Sequence, residues 1–462
     1  MQKDEILPLL ALLRESFERG LTRDHSWRRS RLQALEAFLV EREEEIATAV
    51  HDDFRKSRAE TFLTETGYLR SEIRFALKHL GSWMKPRRVS IPLIYQPGDG
   101  WYASEPYGVV LIIGAWNYPL QLCLAPLISA IAAGNCAVVK PSEQAPHTSA
   151  LLAEGLSHYL DRNAIAVIEG GVDVSRTLLE ERFDYIFFTG SRATGCEVMH
   201  AAARHLTPLT LELGGKCPCI VDLEGDVRVA ARRIVWAKFL NGGQTCVAPD
   251  YVLVHRKREQ ELIGYMQQAI TCFYGDDPRL SPDYPRIVND HNFMRLEGIL
   301  ADSSFRKGGK TDPGERYIAP TILHDVTLDS VIMQSEIFGP LLPVIAYEDL
   351  DEVFDTLRKG NEPLALYLFS SDRNVQERVV RQTRSGGVCI NDLLFHAAIH
   401  SLPFGGLGSS GFGAYHGRAG FETFSFQRSV LRRSLCPDPD LRYPPYGKKK
   451  LSILKRLVTL FH

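Results

Sequence analysis

Four short, largely apolar runs separated by helix-length segments constrain this chain more than any other feature. They are Val109–Ile113, Cys136–Val139, Ala164–Glu169 and Tyr185–Thr189. A strand buried on both faces reads as a continuous apolar run, and a parallel pair needs a crossover of a dozen or more residues. Leu120–Ala133 has the length and apolarity of one such crossover helix. The alternation predicts an α/β fold with a parallel, doubly wound sheet of the kind that suits a nucleotide. Leu209–Leu213 reads as a linking strand, and a second alternation runs on to Pro403. The expected architecture is therefore a Rossmann-like domain, a second α/β domain and a small bridging or oligomerisation element.

The flanks fit this division. Within the first eighty residues, Leu32, Leu35, Phe38 and Leu39 recur at helical spacing, ahead of a solvated, mostly acidic run from Glu41 to Glu45. Met84–Arg88 and Pro92–Trp101 break the pattern with Pro and Gly, which predicts a hairpin or an excursion from the main body. The expected boundaries are 1–80 and 106–211 for the first domain and 212–402 for the second. Residues 81–105 and 403–462 form the bridging element and tail.

Composition excludes several classes. The chain has 462 residues, 45% hydrophobic and 24% charged, with 54 Lys and Arg against 56 Asp and Glu. A net charge of -2 does not suit a nucleic-acid binder. The nine cysteines follow no framework spacing. Cys217-Pro-Cys219 has no second pair to complete a metal site, so reduced cysteines in a cytoplasmic protein and no metal are expected. Lys3, Asp4 and Glu5 precede only a short apolar run, so no secretory signal is read there, nor is any apolar run long enough to cross a bilayer.

Open α/β sheets bind ligands at the carboxyl ends of their strands. Those ends here carry Trp116 and Asn117, Lys140 and Glu143, Gly190-Ser191 followed by Gly195, and Glu212-Leu213. A glycine-rich loop, Gly242-Gly243-Gln244-Thr245, leads into Cys246. Glycines let backbone approach a ligand, and an exposed thiol there can act as a nucleophile. Glu212, between two leucines, suits a general base if burial raises its pKa; it equally suits a strand-end carboxylate paired with a Lys. Asn117 offers an amide donor, or serves as a turn residue before Tyr118-Pro119. Gly190-Ser191 and Gly195 could open a helix towards a pyrophosphate. Gly406–Gly411 matches G-x-G-x-x-G but lacks a convincing preceding strand, and reads as a glycine-rich loop near the substrate site or a domain junction. Asn391, His396 and His400, just before it, receive no catalytic role.

Phe188-Thr189-Gly190-Ser191, Leu211–Lys216, Gly243-Gln244-Thr245-Cys246 and Glu336–Pro340 together resemble the signature motifs of the aldehyde dehydrogenase superfamily, in its order. The short chain, His400–Gly406 and Tyr415-His416-Gly417 resemble its class 3 branch, which includes fatty aldehyde dehydrogenases. The resemblance implies that Cys246 attacks the aldehyde carbon and that Asn117 and the Cys246 backbone N–H stabilise the oxyanion. It implies that hydride transfer then leaves a thioester, hydrolysed by water that Glu212 activates. It assigns Gly190, Ser191 and Gly195 to the pyrophosphate, Lys140 and Glu143 to the adenosine ribose and Glu336 to the nicotinamide ribose, with Phe338 nearby. Trp116 and Leu213 are counted with this cofactor set. A carboxylate on the ribose favours NAD, while Lys140 would tolerate NADP.

Tyr118, Phe395 and Phe404 are read as substrate-pocket residues, beside Trp116 and Phe338. They suggest a hydrophobic aldehyde, aromatic or of medium to long aliphatic chain. Ala397 and Ala398 would leave a wide mouth. From Lys448 to His462, Ile453, Leu454, Leu457, Val458 and Phe461 fall on one helical face, with basic residues mostly on the other. Such a helix suits peripheral contact with an anionic membrane surface, or packing on this subunit or a partner. Membrane-bound relatives carry a longer hydrophobic tail, from which this one departs. The branch implies a homodimer. Three alternatives stay open: a CoA-acylating dehydrogenase, a non-catalytic binding or structural relative, and an esterase using Cys246 without cofactor.

Overall fold

A computed structural model describes residues 3–92, 95–303 and 306–461. Leu93 and Ile94 of the bridging segment, the Phe461 side chain and His462 lie outside the described residues.

The N-terminal region is helical throughout: Lys3–Glu18, His25–Glu41, Glu43–Phe54, Arg58–Thr61 and Gly67–Trp83. Leu32, Leu35, Phe38 and Leu39 are all fully buried, so the apolar stripe read from the sequence is the face that meets the core. A π turn at Phe62–Thr66 interrupts the last two helices.

These helices pack on a six-stranded sheet ordered Gly411–Phe412, Leu209–Leu213, Tyr185–Gly190, Val109–Ile113, Cys136–Lys140, Ile165–Val167. Every neighbouring pair is parallel except the first. Val109–Ile113 and Cys136–Lys140 are buried at every position, which is why they read as unbroken apolar runs. The chain order reverses between Val109–Ile113 and Tyr185–Gly190, placing the crevice of a doubly wound sheet there. Gly114–Asn117 and Ser191 sit at that edge.

A second sheet of seven strands runs Arg306–Lys307, Thr321–Leu323, Leu341–Tyr347, Tyr251–His255, Pro218–Val221, Ala365–Phe369, Gly387–Ile390. Its own core includes Val252, Val344 and Tyr367. In a third, antiparallel sheet, Gly98–Pro106 pairs with both Arg87–Val89 and Ser425–Arg433. Segments more than three hundred residues apart therefore make one arm.

The tertiary structure redraws two sequence boundaries. Glu212 and Leu213 complete the last parallel strand of the first sheet instead of opening the second unit. Within 403–424, Gly411–Phe412 pairs with Glu212 and Leu211, and Tyr415, Phe421 and Phe424 join the first core. Strand pairing over two hundred residues leaves no local mark, so the sequence grouped this segment with the arm.

Candidate active site

The helix Val227–Phe239 delivers the Cys246 loop. It ends in a tight turn in which Asn241, Gly242 and Gly243 all have positive φ, at 53°, 62° and 75°. At Gly243 an added Cβ would stand 2.3 Å from the Gly339 carbonyl oxygen, so both conformation and space demand glycine. Cys246 follows, partly accessible.

Cys246 and Glu212 line the same mostly apolar cavity of about 380 Å³. Its walls include Tyr118, Leu122, Trp236, Leu240, Phe395, Phe404 and Tyr415. Of the five aromatics read as bordering the substrate, Tyr118, Phe395 and Phe404 line this cavity, while Trp116 and Phe338 do not. The Tyr118 hydroxyl bonds Thr245 Oγ1 at 2.6 Å, and Phe395 is 52% exposed and stacks on Trp236, as suits a residue at the rim. Sequence reasoning missed Tyr68 and Trp236, which lie on helices where an aromatic ordinarily reads as core. It used His416 only as a motif residue; its Nδ1 lies 2.7 Å from the Tyr68 hydroxyl in the cavity wall.

Burial dominates the electrostatics. Among the described residues neither buried Glu212 carboxylate oxygen has a hydrogen-bond partner and no Lys pairs with it, and burial pushes its pKa well above the ordinary carboxylate range. The Cys246 thiol is pushed up to about 12 by burial, then by the nearby Glu336 and Glu212 carboxyls. Asn117 is buried; its Nδ2 donates to the Gln244 carbonyl at 3.0 Å, which uses one of its two N–H groups and ties the Asn117 turn to the Cys246 loop.

Leu213 faces this cavity, whereas the adjoining Gly214 faces a second, more polar one of about 800 Å³. Glu336 lines the second cavity, accepts a hydrogen bond from the Gly215 N–H, and has its pKa raised to about 8 by burial and then by Asp250. A Cβ on Gly214 would stand 2.2 Å from Glu336 Oε2, so the bare backbone keeps this approach open. Phe338, with φ 49°, meets Trp116 edge to face at 5.3 Å, and Trp116 stacks on Phe54. Such strain at a non-glycine residue is characteristic of functional sites.

The remaining predicted cofactor residues sit at the sheet's carboxyl edge. Ser191 caps the helix Arg192–Ala203 by accepting from Thr194 N–H. Gly195 is buried against Leu213, where an added Cβ would lie 2.8 Å from Cδ2, so it sets the closeness of helix to strand. Gly190 is likewise closed by the Phe188 ring at 2.5 Å. Lys140 Nζ donates to the Pro141 carbonyl and to Glu143 Oε2 at 3.1 Å, so the two residues assigned to one ribose form an ion pair. A helix N-terminus, a carboxylate-lined cleft and bare backbone at Gly214 fit a dinucleotide. Among the described residues, no group of three His, Cys, Asp or Glu side chains could hold a metal ion.

Behind the Cys246 loop lies a feature the sequence hid in a helix. Lys238 is fully buried, its Nζ has no hydrogen-bond partner among the described residues, and burial lowers its pKa to about 8. Lys216 lies nearby, bonded to Asp250 at 2.6 Å and to the Ile332 and Ser335 carbonyls.

Comparison with known proteins agrees with this geometry. The sequence profile described as "Aldehyde dehydrogenase family" matches residues 14–430. "Aldehyde dehydrogenase family 3 member B1" of Rattus norvegicus is 48% identical over 447 residues, covering 96% of each chain. A solved structure, "Substrate bound state of Staphylococcus Aureus AldH", superposes with a TM-score of 0.96 at 42% identity, covering 98% of this chain and 99% of that one. "Crystal structure of E. coli NADP dependent enzyme" gives a TM-score of 0.85 at 25% identity, covering 94% and 91%.

Proposed function

The chain belongs to the aldehyde dehydrogenase family, with family 3 members among its relatives, and is an aldehyde-oxidising enzyme using a nicotinamide cofactor; from that premise we propose that it oxidises hydrophobic aldehydes to carboxylic acids through a thioester on Cys246. The observation that carries this reading is the convergence of Cys246 and Glu212 in one apolar cavity rimmed by aromatic side chains.

Each step assigns work to a residue of this chain. Cys246 gives up its proton to solvent and its sulfur bonds the aldehyde carbon as the carbonyl π pair moves onto oxygen, giving a thiohemiacetal whose oxyanion is met by the free N–H of Asn117 Nδ2 and the Cys246 backbone N–H. A nicotinamide held beside Glu336 would supply the hydride acceptor for the step that leaves the thioester. Glu212, buried without a partner, takes a proton from water as the water oxygen attacks the thioester, and the acid leaves as Cys246 regains its proton. Glu336 would hold the nicotinamide ribose, Lys140 and Glu143 the adenosine ribose, and the helix start at Ser191 the pyrophosphate, with Trp116, Leu213 and Phe338 bordering the cleft. A carboxylate beside that ribose favours NAD. Glu212 argues against CoA as acyl acceptor, since a thiol acceptor needs no such base.

The test is NAD(P)H formation with a chain-length series of aliphatic aldehydes plus benzaldehyde, with NAD and NADP in parallel. Rates that rise with chain length and are higher with NAD support the reading. No reduction by folded, NAD-binding protein would overturn it in favour of the acylating or non-catalytic alternatives.

The same reading extends to the tail and the assembly. No helix among the described residues is long and apolar enough to cross a membrane. The helix Lys448–Phe461 carries five basic residues and no acidic one, and exposes Leu451, Ile453 and Val458. We assign it to peripheral contact of a cytoplasmic homodimer with anionic lipid, where lipid-derived aldehydes arise. Flotation with anionic liposomes in which full-length and tail-deleted protein behave alike would reject this assignment.

A further inference from the structure

The nucleophile loop is held by a residue from the N-terminal helices. Glu60 Oε1 accepts the backbone N–H of Asn241 at 2.8 Å, at the first residue of the left-handed turn before Cys246. The Asn241 side chain in turn donates to the carbonyls of Asn117 at 2.7 Å and Gln244 at 3.1 Å. Five residues on, Glu65 Oε2 accepts the N–H groups of Leu120 at 2.9 Å and Gln121 at 3.2 Å, at the start of the helix after Asn117. Its other oxygen is paired with Lys56 at 2.9 Å, and both side chains are fully buried. The Lys56 ammonium also lies 4.4 Å from the centre of the Tyr118 ring.

The local backbone is built for this. In a regular α-helix, five residues advance the chain so that Glu60 and Glu65 would point about 140° apart. The wider π turn at Phe62–Thr66 brings them nearer to one face. Gly67 permits it: its N–H bonds the Phe62 carbonyl, and an added Cβ would stand 2.7 Å from that oxygen. π turns of this kind concentrate at functional sites.

We infer that Glu60 is a positioning residue for the reaction: by holding the Asn241 N–H it fixes the turn that presents Cys246 and, through the Asn241 side chain, sets Cys246 against Asn117. This rests on the reading of Cys246 as nucleophile and Asn117 as oxyanion donor. Glu60 is not a catalytic residue; it lies behind the loop and does not line the apolar cavity. Its effect is confined to steps that depend on how Cys246 is presented, which are acylation, where thiol and oxyanion donor must be in register, and alkylation, which reads the thiol alone, not cofactor binding.

Two substitutions of similar volume separate the contact from the fold. Glu60→Gln keeps an acceptor for Asn241, and since burial raises the Glu60 carboxyl to about 7, a neutral amide is a close stand-in near neutrality. Glu60→Met removes the acceptor. Stopped-flow NADH bursts with a medium-chain aldehyde, iodoacetamide alkylation of Cys246 and NAD affinity are measured on wild type and both variants. Glu60→Met should slow the burst by about tenfold or more, with alkylation slowed as well and NAD affinity within about twofold, because small misplacements of a reacting atom are costly. Glu60→Gln should restore the burst to within about threefold. A Met variant that bursts like wild type, one that loses NAD binding or solubility, or a Gln variant as impaired as Met, each overturns the inference. A wild type whose NADH formation does not depend on Cys246 instead overturns the function it rests on.

Discussion

In the free protein the Cys246 thiol is held protonated, because burial and two nearby carboxyls push its pKa to about 12. Its alkylation by iodoacetamide should therefore keep climbing about tenfold per pH unit past pH 9, where an ordinary thiol levels off. A plateau near neutrality would show a resting thiolate. Glu212 is shifted in the same direction for the same main reason, so its carboxylate form, the one that accepts a proton, is lost as pH falls through its raised pKa. Glu212→Gln should leave the NADH burst and reduce steady turnover by about a hundredfold or more. Loss of the burst as well would assign Glu212 to thiol activation. Both residues were legible in the sequence because their motifs are local: a glycine-rich loop before Cys246, and a strand-end Glu between leucines. The buried groups packed around the site were not. Glu60, Tyr68 and Lys238 lie in helical segments, where nothing in the local pattern says that one side chain turns towards a distant loop.

At the scale of the element, the strands and the first crossover helix were readable because burial on both faces writes an unbroken apolar run into the sequence. The helix opened by Ser191 also emerged as read, with its cap made by the serine itself. Replacing that cap, Ser191→Ala, should cost about 1 kcal/mol of stability. It should raise the Kd for NAD several-fold while leaving the burst rate at saturating NAD unchanged. Isothermal titration with paired burst kinetics checks this, and a slowed burst at saturation would mean that the helix start also orients the reacting ring. Gly195 carries a different lesson. The sequence offered it as a pyrophosphate residue, yet its side faces Leu213, where it governs how tightly helix and strand approach.

Across the whole molecule, the two sheets and the arm are joined by residues far apart in the chain, and buried ionisable groups stand at the joints. His416 packs under the cavity beside Tyr68, while Glu72 pairs with His400 and accepts the Gly417 N–H. Burial lowers His416 from 6.5 to about 4, and His396 likewise. The unfolded chain gains these protons near pH 6.5 and the folded chain only near 4, so stability is lost as pH falls through that window, by up to about 3 kcal/mol for His416. The raised carboxyls of Glu60, Glu212 and Glu336 act in the opposite direction over the same window, so the histidine contribution is read as a difference: between pH 7 and 5 the denaturation midpoint of wild type should fall relative to that of His416→Gln, and a constant difference would place the loss elsewhere. What the sequence determined by itself was whatever short-range chemistry specifies: the α/β alternation, the amphipathic N-terminal helices, the Cys246 loop and the Glu212 strand end. Tertiary structure alone decided that residues 411–424 complete the first sheet and core, that Gly98–Pro106 pairs with Ser425–Arg433, and that Glu60 and Glu65 brace the two loops of the site. The physical reason is that a pairing register or a buried hydrogen bond depends on both partners at once, and neither carries a mark of it in its own neighbourhood of the chain.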